Sequence, residues 1–237
     1  MIKILFIIPC GTDIYDEPCR RTIEEVKRAD TEVKIVHLCQ GPPHVEYHYY
    51  EHIVMDETLK LVKNAEKENY DAVVIDCFYD LGLREARELV KIPVVSIGEV
   101  SYHIASMLGH KFSVIVGRRK NIPKMYDNLV TYGLERKLAS FRYVNMNPIE
   151  MVKYPEKLKE AIIREAKKAV EEDGAEVIIL GCGAQTGLAK ELMKILNVPV
   201  IDPVAVTIKV AEAMAELYKK IGLSHSKIGG YEAPTEV

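Results

Sequence analysis

EVIILGCGAQTGL, residues 176–188, is matched in outline by DAVVIDCFYDLGL, residues 71–83. After one acidic residue, both stretches have a short run of apolar, mostly β-branched residues, which is typical of a strand buried on both faces. Each run leads into a cysteine, Cys182 or Cys77, and a Gly-Leu pair five residues later opens a helical pattern. We interpret the stretches as two copies of an internal repeat, each with a cysteine at the carboxyl end of a strand.

The repeat continues past both cysteines. A further strand begins at Pro93, 16 residues after Cys77, and at Pro199, 17 residues after Cys182. In both halves of the chain strands alternate with helical patterns, which predicts parallel sheets with helices on both faces. The sequence therefore predicts an α/β fold of two pseudo-symmetric lobes, each a parallel sheet flanked by helices, with the active site in the cleft between them.

The predicted boundaries follow from the repeat. We place the first lobe at residues 1–108 and the second at 109–202, and we expect the region from about 203 to 237 to cross back to the first lobe. Within the lobes, helices are predicted at about residues 20–29 and 155–173.

Two further expectations concern single segments. A strand is predicted near residues 141–144. The tail from His225 to Val237 is polar and contains glycine, so we expect it to be loose.

Composition excludes several classes of partner. The chain has 237 residues and a net charge of −3, which gives no general attraction to nucleic acid or anionic membranes. The longest apolar runs fall far short of the ~20 residues that a membrane span needs. We interpret the apolar residues 1–8 as a buried first strand rather than a signal peptide. These features predict a cytoplasmic protein with a small-molecule substrate.

Neither a disulfide framework nor a metal site is predicted. The chain has five cysteines, an odd number, without a CxxC pair, which argues against structural disulfides and a zinc ribbon. His44, His48 and His52 are spaced by four residues, as on one face of a helix, but no carboxylate stands at a suitable spacing.

Paired thiols at two strand ends suggest proton transfer. Parallel sheets place their chemistry at the carboxyl ends of strands, and the N–H groups of a following helix are expected to lower a thiol pKa. One thiolate can then remove a proton from a carbon while the other thiol returns one to the opposite face. The alternative is that Cys77 and Cys182 are small apolar fillers. Ordinary packing is expected for Cys19 and Cys39.

Loops beside the strand ends supply candidate binding groups. Pro9, Gly11 and Thr12 follow the first strand and offer backbone N–H groups and a hydroxyl; the alternative is a polar turn. Cys10 ends the same strand, so its thiol is expected near the cleft. The peptide N–H groups after Cys182 can donate to an anion.

The sequence resembles the Asp/Glu/hydantoin racemase superfamily, most closely its hydantoin racemase branch. The resemblance is carried by GCGAQTGLAKEL at residues 181–192 with VPVIDPVA at 198–205, and by DCFYDLGL at 76–83. It implies a two-lobed fold, paired cysteines as the racemising bases at Cys77 and Cys182, no cofactor, and a homo-oligomer.

The sequence departs from that branch in several places. Asp76 replaces the usual glycine before the first cysteine, where an ionised carboxylate would raise the pKa of Cys77 unless it points away. Tyr79 and Leu81 replace a glycine and a proline, which makes that wall bulkier. Arg118 and Arg119 stand where hydroxyl residues are common, so either could bind a substrate carboxylate bidentately; the alternative is a solvated basic turn.

The sequence thus predicts a cofactor-independent racemase acting on 5-substituted hydantoins or a related cyclic ureide such as allantoin. The alternatives are an aspartate/glutamate-type amino-acid racemase, a single-thiol isomerase or decarboxylase, and a non-catalytic small-ligand binding protein. Cys77 and Cys182 are the predicted catalytic residues. The predicted substrate-binding residues are Pro9, Gly11, Thr12, Phe78, Tyr79, Asp80, Gly117, Arg118, Gly183, Ala184 and Gln185.

Overall fold

Two four-stranded parallel sheets organise the computed structural model, which describes residues 1–235. The strands of the first sheet lie in the order β2-β1-β3-β4 and those of the second in the order β6-β5-β7-β8. Their bounds are β1 Ile2–Ile8, β2 Thr31–His37, β3 Ala72–Ile75, β4 Val94–Ser96, β5 Phe112–Val116, β6 Leu138–Tyr143, β7 Val177–Leu180 and β8 Val200–Ile201.

Helices separate the strands along the described chain. They are α1 Asp16–Val26, α2 His48–Lys67, α3 Leu83–Leu89, α4 Ile97–Leu108, α5 Ile122–Tyr132, α6 Pro148–Lys153, α7 Pro155–Glu171, α8 Ala189–Leu196 and α9 Pro203–Ile221. No helix in residues 1–235 is long and apolar enough to cross a membrane.

The strand orders confirm the predicted fold class. Adding four to each strand number of the first sheet gives the order of the second, so β3 and β7 hold equivalent positions. Every residue of both strands is buried, as their apolar runs predict. Cys77 and Cys182 each stand two residues beyond the end of their strand, and parallel strands bring both to the carboxyl edge of their sheets.

The last helix packs on the first sheet rather than the second. Asp202 caps α9 by accepting hydrogen bonds from the N–H groups of Val204 and Ala205. The helix then packs against α1, α4 and strands β1, β3 and β4. Glu212 of α9 accepts a 2.8 Å hydrogen bond from the N–H of Arg28. The chain therefore contacts the first sheet again after completing the second.

Several predicted boundaries were displaced. The first helix begins at Asp16 and ends at Val26, earlier than the predicted 20–29. Strand β6 begins at Leu138, earlier than the predicted 141–144. Its start was misplaced because its half-buried, mixed residues give only a weak alternation of apolar and polar positions. The short helix α6 was missed, although Asn147 and Glu150 form a capping box around Pro148 at its first position.

The prediction of a loose tail was wrong for its first residues. His225 Nε2 accepts a 2.9 Å hydrogen bond from the Val94 N–H. Lys227 Nζ donates to carbonyl oxygens at the end of α3, including that of Val90 at 2.7 Å. These bonds fix the segment on the first lobe. The final residues 236–237 lie outside the described part of the chain.

Candidate active site

An open cavity of about 620 Å³ lies where the carboxyl edges of the two sheets meet. The loops that follow β1, β3, β5 and β7 all contribute to its walls. Its lining residues are Ile8, Cys10, Tyr15, His44, Val45, Glu46, Asp76, Cys77, Phe78, Tyr79, Gly117, Asn121, Met125, Pro148, Met151, Gly181, Cys182, Gly183 and Ala184.

The two repeat cysteines line this one cavity from opposite lobes. Matching turns hold them: the Asp80 N–H donates to the Cys77 carbonyl at 2.9 Å, and the Gln185 N–H donates to the Cys182 carbonyl at 3.0 Å. The repeat thus extends from the sequence to the hydrogen bonds that orient each thiol.

The pKa of both thiols is raised, contrary to the expectation that nearby N–H groups would lower it. The amides of Tyr79 and Ala184 do act in that direction, but burial outweighs them, raising the pKa of Cys77 well above its usual value and that of Cys182 to about 12. Neither cysteine directly precedes an α-helix whose N–H groups would lower the pKa of its thiol. Only a short turn follows Cys182, and α3 begins at Leu83, several residues after Cys77.

Asp76 points away from its sequence neighbour and toward the second lobe. A Cβ atom placed on Gly183 would lie only 2.4 Å from Asp76 Oδ1, so glycine is required there for the close approach. Burial, and then the charge of Asp202, raise the pKa of Asp76 to about 7. The charge of Asp76 in turn raises the pKa of Cys182. The sequence led us to expect that Asp76 raises the pKa of Cys77. In the structure it raises the pKa of Cys182, on the opposite lobe, instead.

The Asp76 carboxyl group is poorly satisfied. The Cys19 thiol lies 3.7 Å from Oδ2 and is a weak donor. Oδ1 is buried and has no hydrogen-bond partner among residues 1–235. Buried polar atoms without partners are uncommon in folded proteins. Asp76 is therefore an unusual carboxyl group in the wall of the cavity.

Five of the predicted substrate-binding residues line the cavity: Phe78, Tyr79, Gly117, Gly183 and Ala184. Six do not: Pro9, Gly11, Thr12, Asp80, Arg118 and Gln185.

Two of these six stabilise loops around the cavity. Gly11 donates its N–H to the Pro42 carbonyl, and a Cβ on Gly11 would come within 2.5 Å of Gly41. The Asp80 carboxylate accepts hydrogen bonds from the Gly98 N–H at 3.0 Å and the Tyr132 hydroxyl at 2.7 Å. The latter bond connects the loop after β3 to α5.

Arg118 is held by a carboxylate of the protein itself. Its Nε lies 3.1 Å from Glu46 Oε1 and its Nη2 lies 2.6 Å from Glu46 Oε2. Asn121 Nδ2 also donates to Glu46 Oε1 at 3.2 Å, and to the Tyr79 hydroxyl at 2.6 Å. Glu46, Asn121 and Tyr79 are cavity residues, so this network joins the two lobes at the cavity wall.

Sequence reasoning missed many of the wall residues. Cys10 was expected near the cleft and does line it. Glu46 and Asn121 were missed because their roles depend on contacts between distant loops. Met125, Pro148 and Met151 form an apolar wall from the second lobe; the capping box around Pro148 was the one local signal that a helix lies there.

No group of three or more His, Cys, Asp or Glu side chains within residues 1–235 is arranged to hold a metal ion. His44 lines the cavity, where burial lowers its pKa. His48 instead lies 3.1 Å from Glu51 on α2.

Comparisons with known proteins agree with the fold. A model of the Asp/Glu/Hydantoin racemase family matches residues 4–211. A hydantoin racemase from Pseudomonas sp. (strain NS671) is 36% identical over 234 residues, covering 98% of this chain and 92% of that protein. A hydantoin racemase from Paenarthrobacter aurescens is 32% identical over 236 residues, covering 99% of this chain and 98% of its own.

A solved structure is similar over the whole chain. The allantoin racemase from Klebsiella pneumoniae superimposes with a TM-score of 0.93 at 28% identity, covering 100% of this chain and 95% of that one. The two-lobed arrangement of the sheets is therefore shared with a racemase.

Proposed function

The chain belongs to the Asp/Glu/hydantoin racemase family and is a racemase, and we propose that it inverts C5 of a 5-substituted hydantoin or related cyclic ureide with Cys77 and Cys182 as its two proton-transferring groups. One observation carries the proposal: two cysteines at equivalent positions of the repeat line one cavity from opposite lobes. With a ring bound between the lobes, we expect one thiol at each of its faces.

The proposed reaction needs only proton transfer. One cysteine, as thiolate, takes the hydrogen at the carbon next to the carbonyl as a proton, and the electron pair of the C–H bond moves to the carbonyl oxygen as an enolate. The other cysteine, as thiol, donates its proton to the opposite face of that carbon, and the carbonyl re-forms. The product has the inverted configuration, and the two sulfur atoms have exchanged protonation states.

Burial has two opposite effects on this chemistry. It favours the neutral form of both thiols, which makes a thiolate harder to form. A thiolate formed there is a stronger base than a solvated one, because its conjugate thiol has the higher pKa. The amides of Tyr79 and Ala184, which already favour the ionised sulfurs, act in the direction that thiolate formation needs.

The charge of the walls favours an uncharged substrate. Glu46 and Asp76 line the cavity, and none of the lining residues is a lysine or an arginine. An amino-acid carboxylate would lose its hydration there without a cationic side chain to compensate. A hydantoin ring is uncharged and carries N–H donors. This favours the cyclic ureide over the aspartate/glutamate-type substrate.

The remaining predicted residues receive supporting roles in the proposal. Phe78, Tyr79, Gly117, Gly183 and Ala184 would contact the ring or its enolate from the cavity walls.

The residues outside the lining would hold those walls in place; they are Pro9, Gly11, Thr12, Asp80, Arg118 and Gln185. We retain as proposals the division into lobes at 1–108 with 203–237 and at 109–202. The homo-oligomeric state and the cytoplasmic location stay predictions.

The test is a racemisation assay over a substrate panel. Each enantiomer of 5-benzylhydantoin, allantoin, aspartate and glutamate would be followed by polarimetry with wild type, Cys77→Ser and Cys182→Ser. We expect loss of optical rotation with a ureide and a decrease of about 10²–10⁴-fold in either variant, the range for removing an acid–base group.

Cys39→Ser is the matched control, because Cys39 is exposed. It should retain wild-type activity. Activity that survives in one of the two cavity variants would support the single-thiol alternative instead. Racemisation of aspartate or glutamate alone would contradict the proposed substrate class.

A further inference from the structure

The loop between β2 and α2 brings an acidic side chain across to the opposite lobe. Tyr15 donates its hydroxyl hydrogen to the Pro43 carbonyl at 2.8 Å, and the Gly11 N–H donates to Pro42 at 3.0 Å. These bonds fix the loop over the end of β1. Glu46 follows at its far end and is only 7% exposed.

Glu46 reaches Arg118 in bidentate geometry. Two guanidinium nitrogens lie 3.1 and 2.6 Å from the two carboxylate oxygens, the parallel arrangement that makes arginine–carboxylate pairs strong and directional. Asn121 supplies a third donor to the same carboxylate. Glu46 lines the cavity, whereas Arg118 is not one of its lining residues.

The pair decides which charge the cavity presents. Arg118 is paired with Glu46, a residue of the cavity wall, so its charge is satisfied within the protein. A carboxylate on a ligand would meet the outward face of Glu46 rather than the guanidinium. Replacing Glu46 by a smaller neutral residue would extend the cavity to Arg118 and leave its guanidinium free to bind the carboxylate of a ligand.

We propose that Glu46 sets the charge selectivity of the cavity by occupying Arg118, so that the site accepts the closed, uncharged ureide ring and rejects its ring-opened carboxylate. This rests on the proposed function for the identity of the ring. Hydrolysis of a hydantoin gives an N-carbamoyl amino acid, which has nearly the same atoms but carries a negative charge at neutral pH. The two compounds therefore differ in charge, which is the property that Glu46 would discriminate.

Non-reacting ligands separate binding from racemisation. 5,5-Dimethylhydantoin has no hydrogen on C5 and cannot be racemised, and N-carbamoyl-2-aminoisobutyrate is its ring-opened carboxylate. Dissociation constants for both would be measured by titration calorimetry. We expect wild type to bind the ring and to bind the carboxylate at least about tenfold more weakly.

The variants test the role of the arginine. In Glu46→Ala the carboxylate should bind about tenfold or more tighter than in wild type, the size of one charge-assisted hydrogen bond. The double variant Glu46→Ala with Arg118→Ala should lose that gain. The matched control, Glu46→Ala with Arg119→Ala, should retain it, because Arg119 is exposed and is a neighbour of the same charge.

Glu46→Gln covers the case in which the alanine variant fails to fold. It removes the charge while keeping the shape, so we expect a smaller gain in carboxylate binding that again depends on Arg118. Equal affinities for ring and carboxylate in wild type would overturn the inference. An absence of gain in every folded Glu46 variant, or a gain that persists without Arg118, would also overturn it.

The racemisation panel is judged separately. If the ring binds and the Glu46 variants behave as expected but no compound is racemised, the proposed function fails while the charge selectivity stands. If racemisation occurs and the Glu46 variants bind the carboxylate no better than wild type, the inference fails while the proposed function stands.

Discussion

Asp76 illustrates how one side chain can serve a distant residue rather than its neighbour. It directly precedes Cys77, yet its carboxyl group packs against Gly183 of the other lobe and raises the pKa of Cys182. Its own pKa, about 7, means that it gains and loses a proton near neutral pH. The charge beside Cys182 is therefore sensitive to pH in the range in which enzymes usually work.

Asp76→Asn should become relatively more stable than wild type as the pH rises from about 4 to 7. A carboxyl group with a pKa of about 7 when folded and ~3.9 when unfolded favours the folded state fully only below pH ~4. That contribution is lost as the pH rises through the folded pKa. Asparagine cannot ionise, so the variant avoids the loss, which is no more than about 4 kcal/mol.

The measurement is the free energy of unfolding in urea at several pH values between 4.5 and 7.5. Asp13→Asn serves as control, since Asp13 is exposed, and should follow the pH dependence of wild type. A stability difference between Asp76→Asn and wild type that stays constant across the range would contradict the account.

At this scale the sequence indicates which residues to consider but not where their side chains point. The repeat singled out Cys77 and Cys182 because both follow equivalent buried strands, and both line the cavity. The directions of Asp76 and Arg118 depend on how the lobes pack together, because their partners are distant in sequence. Gly183 lies about a hundred residues after Asp76, and Glu46 lies 72 residues before Arg118. No local pattern encodes such contacts.

Among the elements, the tail after α9 supplies hydrogen-bond donors to the C-terminal end of α3. The last carbonyl groups of a helix lack partners within it, and α3 is only seven residues long. Lys227 donates to the carbonyl oxygens of Arg87, Glu88 and Val90 in this region. The Tyr231 hydroxyl accepts a hydrogen bond from Arg87 at 3.3 Å. The tail therefore caps a helix of the lobe that carries Cys77.

Lys227→Ala should destabilise the protein by about 1–2 kcal/mol, because it leaves several carbonyl groups of α3 without their charged donor. The midpoint of urea unfolding would report the loss. Lys220→Ala is the control, since Lys220 is exposed and pairs with Glu216 one turn away, a contact worth a few tenths of a kcal/mol. Equal effects of the two substitutions would show that the tail adds no stability.

The elements themselves were largely predictable. Short apolar runs marked β3 and β7, and the strand predicted to begin at Pro93 is β4, which begins at Val94. Helix α6 was missed because it is short, and the start of β6 was misplaced because none of its residues is buried. The order of the tail was not predictable, since its polar residues bond to groups of α3 and β4 that are far away in sequence.

On the scale of the molecule the core of the first lobe continues into the second lobe, whose other buried apolar residues form a separate cluster. A continuous cluster of buried apolar side chains extends from the first sheet to Phe112, Val114 and Val116 of β5. Tyr102 of α4 links them, with its ring 5.3 Å from Phe78 and 6.1 Å from Phe112 between centroids. Because Phe78 also lines the cavity, the core and the cavity are adjacent.

This continuous cluster predicts a single cooperative unfolding transition for both lobes. The chain contains no tryptophan, so Tyr70→Trp reports on the first lobe alone and Tyr143→Trp, on β6, reports on the second. Fluorescence of each variant should give the same urea midpoint as its own far-UV circular dichroism. Separate midpoints for the two reporters would mean that the lobes unfold independently.

The sequence predicted the two-lobed topology because a repeat of β and α elements leaves few ways to connect a parallel sheet. It also placed the cleft at the carboxyl ends of the strands. It did not predict how the lobes dock. The Glu46–Arg118 pair and the aromatic contact through Tyr102 are interactions between segments that show no local signal.

The central claim, that two thiols act on opposite faces of one carbon, is tested most directly by following deuterium during the first turnovers. Wild-type protein would be given L-5-benzylhydantoin in heavy water, and the enantiomers separated and weighed by mass spectrometry at a few per cent conversion. A two-thiol mechanism predicts that the new D enantiomer carries deuterium at C5 while the remaining L enantiomer does not. A D product that retains the original hydrogen, or deuterium entering both enantiomers equally fast, would contradict it.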